Sequence, residues 1–418
     1  MNGTELPHII TAIPGPNSSG WVDRLAQHEC PAITARRSRR AAQLHIQNDD
    51  PIVWKEAVGA VVVDADNNRF LDLTAGFGVA AVGHRNQAVV EAAQKQVHTL
   101  IHAMGDAFPD TTRIELLEEL SHRTGLSHSI LGCSGSDSID AAIKTATIAT
   151  GRHKILAFSN SYHGLAFGSL PATDYKSENF RAPFQEQLGS HVDHIPFGSD
   201  LPNLSSYAAI IVEPIQGRGG IQEPPPHWLR DLIDQAHQAG ALVIFDEIYT
   251  GFGRTGIPFA FQHESLEGRK PDILCVGKAL GGGFPISACI GSSAVMNQWG
   301  ASKGEAIHTQ TFLGNPLGCA MARASLQELD RLLPEVTPKS DWFRAKLHNK
   351  GFSTRGRGLM IGIEHHDTLF LSRALLQRGI IVLPAGPKAE VLALTPPLMI
   401  TEEQLDYFLY HLEDVCSL

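Results

Sequence analysis

Residues Ala241-Leu242-Val243-Ile244-Phe245-Asp246-Glu247 run five apolar side chains straight into two carboxylates. A short continuous apolar run that is rich in β-branched and aromatic residues predicts a strand buried on both faces. Charge at the end of such a strand is costly unless a cation or donor meets it. On both sides of this stretch the pattern repeats. Ile130–Cys133, Lys154–Phe158, Ala208–Val212 and Asp272–Val276 are further apolar runs bounded by Gly, Pro or Asp, and helical periods such as Asp137–Thr150 and His227–Ala239 lie between them. Alternating strands and helices predict an α/β fold with a mostly parallel sheet covered on both faces. Ligands of such sheets sit at the carboxyl ends of the strands.

Two flanking regions differ. Gly59–Val63, a turn at Asp66-Asn67-Asn68 and Arg69–Leu73 predict a hairpin. Beyond about Asn315 a helix comes first, then short strands at Leu359–Glu364, Gly379–Leu383 and Val391–Leu394, then a closing helix from Thr401. This predicts a smaller α+β lobe. The first fifty residues are poorly periodic and carry a basic run, Arg36, Arg37, Arg39 and Arg40, followed by Asp49 and Asp50, which predicts a solvated helix face.

The chain has 418 residues, a formal charge of −10, 43% hydrophobic and 19% charged residues. This is the balance of a folded enzyme of two lobes, not of a disordered or fibrous chain. Net acidity argues against nucleic acid as a partner, because phosphate neutralisation needs clustered Lys and Arg. No window approaches the ~18 consecutive apolar residues of a membrane helix. Met1–Pro16 lacks a basic region followed by an apolar core, so no secretory signal is expected. The six cysteines are scattered without a C-x-x-C pair, which predicts reduced thiols in a cytoplasmic setting and neither a zinc site nor a disulfide scaffold.

The strand ends carry polar residues that a purely structural sheet does not need. Ser134-Gly135-Ser136-Asp137 follows one strand and opens a helix, an anion cup built from free N–H groups and the helix dipole, although an ordinary N-cap has the same composition. Tyr162-His163-Gly164 offers an aromatic face, or plain core. Glu213-Pro214-Ile215-Gln216-Gly217-Arg218 runs a strand into a loop able to approach a ligand closely. Lys278 follows another apolar strand and precedes Gly281-Gly282-Gly283. Desolvation there lowers a lysine's pKa and favours the neutral amine that condenses with an aldehyde. Gly251-Phe252-Gly253-Arg254-Thr255-Gly256 matches G-x-G-x-x-G, but it neither follows a strand directly nor opens a helix, so a dinucleotide site is not expected. Glu364-His365-His366-Asp367 reads as a solvated strand end, and no metal is expected.

Taken together, these segments resemble the class-III aminotransferases, a pyridoxal-phosphate (PLP) family of fold type I related to 4-aminobutyrate and ω-amino acid aminotransferases. The resemblance runs from about Trp54 to the final helix. It rests on Phe70-Leu71-Asp72 through Gly83-His84, the Ser-Gly-Ser cup, Tyr-His-Gly, Glu-Pro-Ile-Gln-Gly, the segment from Asp246 to Gly256, Gly277-Lys278, and Thr311 to Pro316. It implies a seven-stranded, mostly parallel sheet in a large PLP-binding domain over residues 70–316, a C-terminal small domain over 317–418, and an N-terminal segment, 1–69, joined to the latter. It implies that Lys278 links to PLP and shuttles a proton, that Asp246 faces the ring nitrogen, and that Glu213 is a third catalytic-site carboxylate. Cofactor contacts are implied at Ser134, Gly135, Ser136, Tyr162, His163, Asp246, Ile248, Lys278 and Thr311. Thr311 would reach the cofactor phosphate of a neighbouring subunit, so a homodimer is implied.

The departures from the family pattern concern the substrate. Members that act on ω-amino acids often carry an arginine just before the final Pro-Pro-Leu, where this chain has Ala393. A glutamate that pairs with that arginine in 4-aminobutyrate-type members is Arg218, and a common glutamine is Tyr249. Phe77, Arg218, Tyr249 and Ala393 are therefore the expected substrate contacts. In one reading Arg218 takes over carboxylate recognition from the opposite wall. In another it turns outward and leaves an apolar pocket for an amine. In a third it pairs with an acid such as Glu223. The implied activity is transfer of an amino group from an ω-amino acid or primary amine to pyruvate or 2-oxoglutarate, by a ping-pong mechanism. Another PLP reaction on the same scaffold (epimerase, aminomutase, lyase or decarboxylase) and a non-catalytic PLP-fold binding protein are the alternatives.

Overall fold

The computed structural model describes residues 1–31, 51–301 and 303–417. The basic run Arg36–Arg40 and Asp49-Asp50 lie outside these residues. The hairpin forms from β2 (Val61–Asp64) and β3 (Arg69–Asp72), with β1 (Trp54–Val58) added antiparallel to β2. The turn is held by Asp64, whose carboxylate accepts from the N–H groups of Asp66 and Asn68.

The central sheet contains β4 (His128–Gly132), β5 (Lys154–Phe158), β6 (Val192–Ile195), β7 (Tyr207–Val212), β8 (Leu242–Asp246), β9 (Ile273–Val276) and β10 (Ser287–Gly291), in the order β4-β10-β9-β8-β7-β5-β6. Only β10 runs against the rest. Every residue of β7, β9 and β10 is buried, as a strand covered on both faces requires. The sheet lies inside the main hydrophobic core, with a second cluster between it and the helix Gly135–Thr150.

The remaining strands are β11 (Thr354–Arg355), β12 (Ile361–Glu364), β13 (Ile380–Ile381), β14 (Leu383–Ala385) and β15 (Val391–Leu394). The expected strand Gly379–Leu383 is two. β13 pairs parallel to β3, forming a sheet β1-β2-β3-β13, while β14 turns away to pair with β15 in a sheet β11-β12-β15-β14. The sequence break expected between residues 69 and 70 falls inside β3. The closing helix, Glu402–Cys416, starts from a capping box in which Thr401 and Gln404 satisfy each other's N–H groups. Among the described residues no helix is long and apolar enough to cross a membrane.

Candidate active site

The parallel strands direct β4, β5, β7, β8 and β9 to end on the same edge of the sheet. The helix Gly135–Thr150 begins there with a capping box: Ser134 Oγ accepts from the Asp137 N–H, and the Asp137 carboxylate accepts from the Ser134 N–H. The N–H groups of Gly135 and Ser136 belong to the first turn and have no partner within the helix. A helix N-terminus of this kind favours a phosphate. The Ser134 carbonyl accepts from Ser287 Oγ at 2.6 Å, which ties the cup to β10.

Asp246, at the end of β8, is 4% exposed. Its Oδ2 lies 2.7 Å from His163 Nδ1, and its Oδ1 accepts from the Ile248 N–H at 3.1 Å. His163 is itself buried, and its Nε2 has no hydrogen-bond partner among the described residues. Glu213, at the end of β7, accepts from the N–H groups of Tyr162 (2.9 Å) and Gly217 (3.0 Å). It thereby fastens the Tyr-His-Gly segment to the glycine loop. Burial pushes its pKa up to about 7, while His163 opposes that rise and Asp246 adds to it. The neighbouring Glu247 points the other way. It is fully buried, accepts from the N–H groups of Ala260 and Phe261, and has its pKa pushed up to about 7 by burial.

Lys278 lies two residues beyond β9, in a 3₁₀ turn, with the positive φ of 39° that only glycine adopts freely. Desolvation brings its pKa down to about 8. Asp246 and Glu213 act against that fall, and Arg218 adds to it. Its Nζ sits 4.2 Å from the centre of the Tyr249 ring. The Arg218 guanidinium lies 4.4 Å from the Tyr162 ring centre and 5.8 Å from that of Phe77. Phe77 projects, half-exposed, from a turn in which Ala75, Gly76, Phe77 and Gly78 all have positive φ. Such strain costs about 1–3 kcal/mol per non-glycine residue. Asp72 holds the turn by accepting from the N–H groups of Thr74 and Gly76.

Glu223 is not Arg218's partner, because it accepts from Arg357 Nε and from the Gly356 N–H. Ala393 is 9% exposed and lies in a buried apolar cluster with Ile215, Ile221, Met360, Ala385 and Val391, against which Tyr249 packs. Its side chain is therefore largely covered by this cluster. Thr311 is exposed, in the segment whose Phe312 carbonyl approaches Cys133 Sγ just before the cup. The Gly251–Gly256 loop opens no α-helix. Its Arg254 is buried and donates to the carbonyls of Leu359 and Pro396. Thr395, which sequence reasoning missed, meets the Tyr249 hydroxyl at 3.0 Å. Its only signal was its place between a buried strand and Pro396.

The donor set fits PLP: an amine with a lowered pKa for the aldehyde, a buried carboxylate for the ring nitrogen, an aromatic face, and a helix N-terminus with hydroxyls for the phosphate. A bound PLP supplies an aldehyde and a ring that accepts the electrons of a carbanion. The chain's own contribution is to hold each group at its station, Asp246 through His163 and Tyr162 through Glu213.

A mostly parallel sheet with such a constellation at its carboxyl edge defines a PLP-dependent transferase of fold type I. The family model described as Aminotransferase class-III matches residues 45–416, and the chain belongs to that family. It is 37% identical over 369 residues to the acetylornithine aminotransferase of Methanosarcina acetivorans, covering 85% of this chain and 89% of that one. It is 35% identical to the [LysW]-aminoadipate semialdehyde/glutamate semialdehyde transaminase of Sulfurisphaera tokodaii, covering 87% and 94%. The fold matches the crystal structure of acetylornithine aminotransferase from Elizabethkingia anophelis with a TM-score of 0.77 at 26% identity, covering 96% and 98%.

Proposed function

We propose that this PLP-dependent aminotransferase takes the terminal amino group of an ω-amino acid and passes it to a 2-oxo acid such as pyruvate or 2-oxoglutarate, in two half-reactions of a ping-pong sequence. The observation that carries this reading is Arg218. Its guanidinium stands over Tyr162 and beside Phe77, no carboxylate pairs with it among the described residues, and it is near enough to Lys278 to lower that lysine's pKa. An unpaired guanidinium in such a place is suited to a carboxylate, which it binds through two parallel hydrogen bonds. Both substrates carry one. Relatives named for acetylornithine support a donor with amine and carboxylate on one chain. The plain primary amine is the second reading, and Ala393 gives it little support because that side chain is largely covered by an apolar cluster.

In this reading Lys278 holds and delivers the proton at its Nζ, work that is typically worth ~10²–10⁴ in rate. Asp246 would keep the cofactor ring nitrogen protonated, Tyr162 and Ile248 would contact the ring, and Ser134, Gly135 and Ser136 would hold the phosphate. The chain from the end of β3 to residue 316 carries the cofactor, with the residues up to Asp72 and 317–418 forming the smaller unit. The active form is a homodimer in which Thr311 reaches the neighbouring subunit's phosphate. The exposed apolar side chains Ile101, Met104, Phe108, Ile307 and Phe312 support a second copy covering this side of the molecule. Six unpaired cysteines support a reducing, cytoplasmic setting.

The test is the first half-reaction of the PLP-loaded protein without acceptor, followed by absorbance. 4-Aminobutyrate is expected to bleach the cofactor band, and the four-carbon amine without a carboxylate is not. Equal or faster bleaching by the plain amine would refute carboxylate recognition.

A further inference from the structure

Tyr249 occupies its place because two glycines let it. A Cβ on Gly217 would lie 2.3 Å from Tyr249 Cδ1, and one on Gly78 would lie 2.5 Å from Cε2. The ring is thus pressed between two stretches of bare backbone that admit no larger residue. A third restraint acts at its tip, where the hydroxyl meets Thr395 Oγ1, which in turn donates to the Thr74 carbonyl. The apolar cluster around Met360 and Ala393 supports the ring from behind. So clamped, the ring turns toward Lys278, whose Nζ lies 4.2 Å from its centre. No carboxylate forms an ion pair with that amine among the described residues.

We propose that Tyr249 is a positioning residue whose ring face seats the amino group of Lys278, holding the amine in one place whenever it is not covalently linked. This rests on the reading of Lys278 as the proton carrier. Lysine has a flexible four-carbon stem and loses rotamer freedom when fixed. A carboxylate seat would fix it as a permanently charged pair, whereas a π face attracts the ammonium without forming an ion pair and releases the neutral amine. The other charged groups that face Nζ are Asp246 from the end of β8, Glu213 from the end of β7, and Arg218 from the glycine loop. Arg254, Arg218 and Asp72 act on the Tyr249 hydroxyl.

The test changes the ring's electronics and leaves its shape almost unaltered. Full-length protein freed of cofactor is labelled with trace acetic anhydride across a pH series, and peptide mass spectrometry reads the midpoint at which Lys278 becomes reactive. Tyr249→Phe keeps the face and is expected to stay near the wild-type midpoint. Fluorinated phenylalanines at position 249, which weaken the π face stepwise, are expected to lower the midpoint stepwise by up to about one pH unit. Near-ultraviolet circular dichroism confirms that each variant is folded. A midpoint indifferent to fluorination, or a fall in Tyr249→Phe as large as in the fluorinated series, overturns the proposal. Turnover by Lys278→Ala would instead overturn the reading of Lys278 and leave the labelling result standing.

Discussion

Replacing Arg218 with alanine is expected to separate recognition from stability. The side chain makes no ion pair among the described residues, and Glu223 is already held by Arg357. Truncation therefore breaks no salt bridge and leaves no buried carboxylate alone. The loss to the fold is the contact with Tyr162, about 1 kcal/mol for a half-buried cation–π pair. In a chain of this size that lowers the melting temperature by ~2 °C or less. The loss to the substrate is larger. A hydrogen bond from a charged group is worth about 1.5–3 kcal/mol, which is roughly 10- to 150-fold in KM. The assay compares initial rates with 2-oxoglutarate and with an aldehyde of similar length that lacks carboxylates, alongside thermal melts. KM for the oxo acid is expected to rise while that for the aldehyde holds. An unchanged KM, an equal loss with both acceptors, or a fall of many degrees in melting temperature would each show that Arg218 is structural.

Other consequences follow from the same contacts. Lys278→Ala is expected to abolish turnover with the circular dichroism spectrum unchanged, and residual turnover near the wild-type rate would remove the lysine from the chemistry. In cofactor-free protein Lys278 releases its proton at about 8, whereas an unfolded chain holds it to about 10.4, so the unfolded state binds more protons between those values and stability rises with pH there. Urea titrations of wild type and Lys278→Met are expected to show the wild type gaining on the variant between pH 8 and 10 and running parallel below pH 7. A constant difference would show that the lysine is not desolvated. His163→Ala withdraws the hydrogen bond that orients Asp246 and is expected to weaken PLP binding about 10- to 100-fold in a fluorescence titration, with unchanged affinity counting against that role. Gly217→Ala pushes a methyl group into Tyr249 and is expected to cost about 1–3 kcal/mol in denaturant midpoint analysis.

Strands bounded by strong punctuation were legible from the sequence. Lys154–Phe158 matches β5 residue for residue because a charged residue opens it and Ser159-Asn160 closes it. β10 was not legible, since Ser-Ala-Cys-Ile-Gly lacks bulk and intrinsic strand preference, and only pairing to β4 and β9 makes it a strand. β6 was missed for the opposite reason, being an edge strand only half buried along its length. Within the site, Lys278, Asp246 and Glu213 stood out because charge at the end of a buried strand is rare. The bond between His163 and Asp246 did not, because residues 83 positions apart in sequence carry no shared period. Ala393 could be read as a missing arginine, but only the packing of Met360 and Val391 around it shows that the vacated volume is filled.

The pairing of β13 with β3 joins Ile380 to Leu71 across 309 residues of chain. On a ribosome adding about 5–20 residues per second, β3 waits roughly 15–60 s for that partner. Meanwhile the N–H groups of Leu71 and Leu73, which end up bonded to the Gly379 and Ile381 carbonyls, stand open along a strand edge. The nascent hairpin is therefore a sticky intermediate. Its rescue depends on the last tenth of the polypeptide, so truncations from the carboxyl terminus should aggregate through their own beginning.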